Sequence, residues 1–222
     1  MDSKYRVEIS IERESLKEIK NHALKMYAFR AVKGPSGGKP LVWYSVENIQ
    51  ETMKIDWDDN FGAFISPNKT SYNICVHGHF ATRKTIALGQ RMVIDEVGNA
   101  IVDTKGEAGT ICILSHHNEE YTCGISEHEG PNFNDFCLFP LLQSYLCRIT
   151  PVAKIALIFS QTTIRTDNVV EKATGPGILI DFTNETERKV EYRHGKWIAD
   201  TNGSQEAFES GQSLSQFLII PE

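Results

Sequence analysis

His77 and His79 stand two residues apart in a stretch, Tyr72 to Phe80, that alternates as a strand does. Side chains at i and i+2 of a strand share a face, so both imidazoles could reach one metal ion. These two histidines are the candidate metal ligands. A carboxylate to complete such a site is not close by: Arg83 and Lys84 follow, and Glu96 lies far downstream. A cation there opposes a divalent metal, and the pair also reads as solvent-facing or hydrogen-bonded histidines.

A second group gathers His116, His117, Glu119, Glu120 and His128. His116, His117, Glu120 and His128 are the candidate catalytic residues, because histidine and glutamate are the commonest general acids and bases. Adjacent strand residues point to opposite faces, so His116 and His117 converge only within a turn. Folding could also carry this group toward His77 and His79, giving a His/carboxylate site. A polar hairpin tip accounts for the same residues without any chemistry. Covalent catalysis has no signature. The string nearest to a nucleophile elbow, Gly124-Ile125-Ser126-Glu127-His128, ends in histidine rather than glycine. Glycine-rich Gly34 to Pro40 lacks the spacing and the Lys-Ser/Thr ending of a phosphate-binding loop, and it leads into a strand. No cofactor is implied by any fingerprint.

Aromatic residues supply the third set of candidates. Trp43, Tyr44, Trp57 and Trp197 fall in or beside expected strands. Exposed, they would stack on sugar rings or enter a membrane interface; buried, they would simply fill the core.

Composition narrows the partners. With 29 acidic and 23 basic residues the formal charge is −6, and no window is strongly basic, which argues against nucleic acid. No apolar run approaches the ~18 residues that a membrane span requires, and none stands behind Met1 as a signal peptide would. Five cysteines at irregular spacing, without a CxxC pair, read as buried thiols of a reducing compartment. A cytoplasmic address is the expectation, with non-classical export open.

The elements that must position these residues are mostly strands. Ser15-Leu16-Lys17-Glu18 fits a capping box and predicts one helix over about residues 16–24. Around it the period is two: Tyr5 to Ile11, Met26 to Val32, Leu41 to Val46, Met53 to Trp57 and Phe61 to Ile65 read as strands. Hairpins are expected at Glu96–Asn99, at His194-Gly195, and between Gly109–Leu114 and Tyr121–Ile125. Residues 126–135 read as an irregular loop, and Leu214 to Ile220 as a closing strand. Many short strands with frequent turns predict an all-β fold, sandwich-like antiparallel sheets with one short N-terminal helix, in a single domain over residues 1–222.

Such a domain, without catalytic or cofactor motifs, is expected to be a soluble, non-enzymatic binding protein. Its partner would be a carbohydrate, a lipid surface or a protein, in a lectin-like or cytolysin-like manner. The alternative is a lyase, isomerase or cyclase, metal-free or metal-assisted, using loop histidines and glutamates. The oligomeric state is not legible.

Overall fold

The computed structural model describes residues 4–67, 82–129 and 132–222. His77, His79 and the strand expected over 72–80 therefore lie outside the described residues. In chain order the elements are β1 (Lys4–Ile11), α1 (Arg13–Asn21), β2 (Lys25–Gly34), β3 (Lys39–Pro40), β4 (Tyr44–Val46), β5 (Thr52–Asp58) and β6 (Phe61–Ser66). Further along the chain come β7 (Thr82–Ile86), β8 (Arg91–Ile94), β9 (Ala100–Asp103), β10 (Ile111–Ser115), β11 (Tyr121–Glu129), β12 (Asn132–Asp135) and β13 (Cys137–Leu141). The remainder is β14 (Leu146–Ser160), β15 (Gly177–Asp181), β16 (Glu187–Arg193), β17 (Lys196–Ile198), β18 (Gln205–Phe208), α2 (Leu214–Leu218) and β19 (Ile219–Pro221).

The fold is all-β, with several sheets packed together. A four-stranded sheet runs β17-β16-β1-β5, and a six-stranded sheet runs β3-β13-β11-β6-β7 with β12 beside β11. The nine-stranded sheet runs β18-β15-β14-β10-β8-β9 and carries β2 on β14, with β4 and β19 on β2. Most pairings are antiparallel, but β1–β16, β8–β10 and β2–β19 are parallel. No helix among the described residues is long and apolar enough to cross a membrane.

Strand β2 explains much of the packing. Met26 to Val32 is buried throughout, because the strand has neighbours on both edges and cover on both faces. Met26, Ala28 and Val32 face the main core, which also takes Val7, Trp57, Ile65, Ile113, Ile125 and Phe139 from all three sheets. Tyr27, Phe29 and Ala31 face the other way, against Leu214 and Leu218 of α2.

Local signals were sound where pairing is local. His194 and Gly195 adopt φ of 51° and 71°, the left-handed pair of a tight hairpin turn. Elsewhere tertiary contacts decide. The helix begins at Arg13 rather than at residue 16, and Ser15 lies buried inside its first turn instead of capping it. The Ser15 hydroxyl donates to Glu12 Oε2 at 3.1 Å, an oxygen that also accepts from the backbone N–H of His194 at 2.9 Å. That link to the β16–β17 turn replaces the capping box. The expected β10–β11 hairpin does not form: β10 pairs with β14 and β8, whereas β11 pairs with β6, β12 and β13. Residues 116–120 instead carry the chain from one sheet to another. Within the stretch expected as a loop over 126–135, the described residues form the end of β11 and all of β12, paired antiparallel. The closing strand is shortened by α2, whose Ser213 hydroxyl accepts from the Gln216 N–H at 3.4 Å and whose Leu214 and Leu218 stack at i, i+4.

Candidate functional site: a buried arginine beneath an aromatic rim

Alternation along β2 calls for an apolar side chain at position 30, between Ala28 and Val32 on the core face. The residue is Arg30, and it is only 3 % exposed. A cation at that depth requires partners. Its Nη2 lies 3.5 Å from Asp59 Oδ1, in the connection between β5 and β6. Its guanidinium carbon sits 4.7 Å from the ring centre of Phe136, 5.5 Å from Trp43 and 5.6 Å from Phe61. Aromatic faces carry negative quadrupole, so these three rings stabilise the charge. Nη1 has no hydrogen-bond partner among the described residues.

A second carboxylate approaches from the opposite sheet. Cys123, Ile125 and Glu127 share one face of β11, and Glu127 is thereby turned into the core. Its Oε2 accepts from Trp43 Nε1 at 2.8 Å and its Oε1 from the Asp58 N–H at 3.2 Å. Burial pulls the Arg30 guanidinium below its ordinary value, against the pull of Glu127 and Asp59. Burial likewise raises the Asp59 carboxyl, and Arg30 only partly offsets it. Both ions therefore bear a desolvation cost that their mutual attraction does not cancel.

Beside this cluster lies a cavity of about 100 Å³, lined by Tyr5, Arg30, Asp59, Phe61, Leu88 and residues 151–153. The opening has a backbone cause. Arg30 pairs with Ile155 and Val32 with Pro151, so β14 carries extra residues opposite Ala31. This bulge spreads the sheet next to the guanidinium. Tyr5 forms the rim, its ring stacked 5.4 Å from Trp57 and edge-on to Phe182 at 6.0 Å. Trp57 in turn meets Trp43 at 5.5 Å, which completes an aromatic path from the rim to Arg30.

The residues singled out from sequence are distributed differently. Trp43, Trp57 and Trp197 are 2 %, 4 % and 4 % exposed and belong to the core, whereas Tyr44 is 43 % exposed. Trp197 stacks on Phe159 at 5.1 Å with an interplanar angle of 7°. His116 and Glu120 are exposed in the 116–120 connection. His117 is half-buried there, its Nδ1 accepting from the Glu119 N–H at 3.1 Å and lying 3.3 Å from the Tyr121 hydroxyl. His128 stands near the far end of β11, roughly 23 Å away at ~3.3 Å per residue, with its ring 4.5 Å from Phe133. The four candidate catalytic residues are thus not brought together. Glu127, adjacent to His128, faces the opposite way. Among the described residues no group of three or more His, Cys, Asp or Glu side chains is placed to hold a metal.

Two other polar clusters are joined by hydrogen bonds of their own. Glu12, Ser15 and His194 meet, but the buried Ser15 donates to the carboxylate and not to the imidazole. Arg83 grips the fully buried Asp135 through both arms, at 2.6 and 2.9 Å, and donates also to the Ser126 hydroxyl. Burial pushes the thiols of Cys123 and Cys137 well above the ordinary cysteine value, the opposite of what a nucleophile needs.

Compared with known proteins, the chain matches no family model, no curated protein and no solved structure. Arg30 and Asp59 were not singled out in the sequence reading. Their one signal was a lone arginine in the otherwise apolar run Met26 to Val32.

Proposed function

We propose that this chain is a non-enzymatic carbohydrate-binding protein whose primary contact is the cleft over Arg30. One observation carries the proposal: a single cavity whose wall sets the buried Arg30 guanidinium beside the Asp59 carboxylate, a cation and an anion within 3.5 Å of each other. A sugar hydroxyl both donates and accepts, so adjacent hydroxyls can accept from Arg30 and donate to Asp59. An anionic ligand fits less well, because Asp59 and Glu127 already set two carboxylates against one cation.

The cavity's 100 Å³ is the room of roughly three waters at ~30 Å³ each, which suits the hydroxyl-bearing edge of a sugar rather than a whole ring. Tyr5 and the 45 % exposed Leu88 stand at the rim to receive the ring's apolar face. Binding is favoured over catalysis because both oxygens of Glu127 already accept from Trp43 and Asp58, which leaves it poorly poised as a base.

An array of neutral glycans, followed by calorimetric titration of the hits, tests the reading. Wild-type protein is expected to bind a neutral glycan. Asp59→Ala, and Ala153→Leu to fill the cavity, should each weaken binding about tenfold, the value of one hydrogen bond to a charged group. An array without a neutral hit refutes the proposal, as does binding that both substitutions leave unchanged.

A further inference from the structure

Tyr5 lines a second pocket as well, of about 480 Å³, formed with Phe182 and residues 183–187. The two hollows are mechanically joined. The Phe182 N–H donates to the Ala153 carbonyl at 2.7 Å, bonding the edge of the larger pocket to the wall of the smaller. The Arg6 N–H donates to the Thr186 carbonyl at 2.8 Å, holding the 183–187 turn against the strand that carries Tyr5. Tyr5 is thus a lining residue common to both.

Size and chemistry bear on what could lie there. The Arg30 cavity alone is too small for a sugar unit, whereas the adjoining hollow, of about 480 Å³ and open to solvent, has room for one. Thr183, Asn184 and Thr186 offer neutral groups that donate and accept. The pocket's two carboxylates already have cations near them: Glu185 lies 2.6 Å from Arg188, and Glu187 lies 3.8 Å from Arg6. The lining is thus polar without a free positive charge of its own, and it suits hydroxyls better than phosphate or carboxylate.

We infer that the two pockets are consecutive subsites for an oligosaccharide, with Tyr5 at the boundary between them. The terminal unit presents its hydroxyl edge to Arg30 and Asp59, and the next unit lies over residues 183–187. This rests on the carbohydrate reading above and specifies its ligand: a neutral chain of at least two units.

Calorimetric titration with matched pairs tests it: glucose with cellobiose, N-acetylglucosamine with chitobiose, and mannose with mannobiose. For at least one pair, wild-type protein should bind the disaccharide about tenfold more tightly than the monosaccharide. Asn184→Ala/Thr186→Ala should abolish that gain and leave monosaccharide affinity unchanged, whereas Asp59→Ala should weaken both sugars of the pair. Equal affinity for both sugars, or an advantage that survives Asn184→Ala/Thr186→Ala, overturns the two-subsite arrangement. The carbohydrate reading then still stands if Asp59→Ala weakens binding. No binding of any of the six sugars, together with an empty neutral-glycan array, overturns both.

Discussion

Asp59 and Asp95 are aspartates of opposite character, and the contrast yields a pH test of the buried cluster. Asp95 accepts from the N–H groups of Val97 and Asn99 and from the Asn99 side chain in the β8–β9 turn, which lowers its pKa. Asp59 is raised instead, chiefly by desolvation on burial, which the attraction of Arg30 only partly offsets. An aspartate whose folded pKa is raised binds its proton more tightly in the folded state. Its contribution is therefore greatest at acid pH and declines as pH rises from the unfolded value of about 3.9 through the folded one. For Asp95 the sign reverses: stability is present above about 3.9 and is lost as pH falls through the lowered value. In urea titrations, the stability difference between wild type and Asp59→Asn should accordingly fall with rising pH, and that between wild type and Asp95→Asn should rise. Equal slopes for the two variants would mean that Asp59 is not buried against Arg30. At this scale the sequence was partly legible. The strand bearing Arg30 followed from the alternation of Met26 to Val32, but Asp59 and Glu127 reach the guanidinium from 29 and 97 positions away, and no local pattern records that meeting. The tryptophans show the same limit, since their types allow either a sugar platform or a core and only burial separates the two.

Among the elements, hairpins closed by a turn of their own were readable, as at Glu96–Asn99 and His194-Gly195. Strands whose partners lie elsewhere in the chain were not. Period-two patterning says that β10 and β11 are strands and which face is apolar, but it does not say that each pairs in a different sheet. The seam of β2 and β14 offers a test of such distant pairing. Tyr27, on the outer face of β2, has a buried ring whose hydroxyl donates to the Thr162 carbonyl and accepts from the Ile164 N–H, both at 3.0 Å. These bonds pin residues 162–164, beyond the end of β14, to the middle of the sheet. Tyr27→Phe keeps the ring and removes both bonds, so it should lower stability by about 1–3 kcal/mol in urea unfolding. Faster proteolysis between β14 and β15 should accompany that loss. Unchanged stability would show that the Ile164 N–H finds another partner.

At the scale of the molecule, the cleft sits where the sheets converge. Tyr5 comes from the four-stranded sheet, Arg30 and residues 151–153 from the nine-stranded one, and Phe61 from the six-stranded one. The main core likewise draws on all three, so neither core nor cleft can survive in one sheet alone. Thermal unfolding should therefore be a single transition in which the calorimetric and van't Hoff enthalpies agree. A sugar that occupies the cleft contacts every sheet at once and should move this transition as a whole. The shift corresponds to about 2.7 kcal/mol of added stability at a free concentration of 100 times Kd. Asp59→Ala should shrink it at the same sugar concentration, because the weaker complex is less populated. Two separable transitions, of which the sugar moves only one, would mean that the sheets unfold independently. The cleft would then belong to a part of the fold rather than to the seam between its sheets.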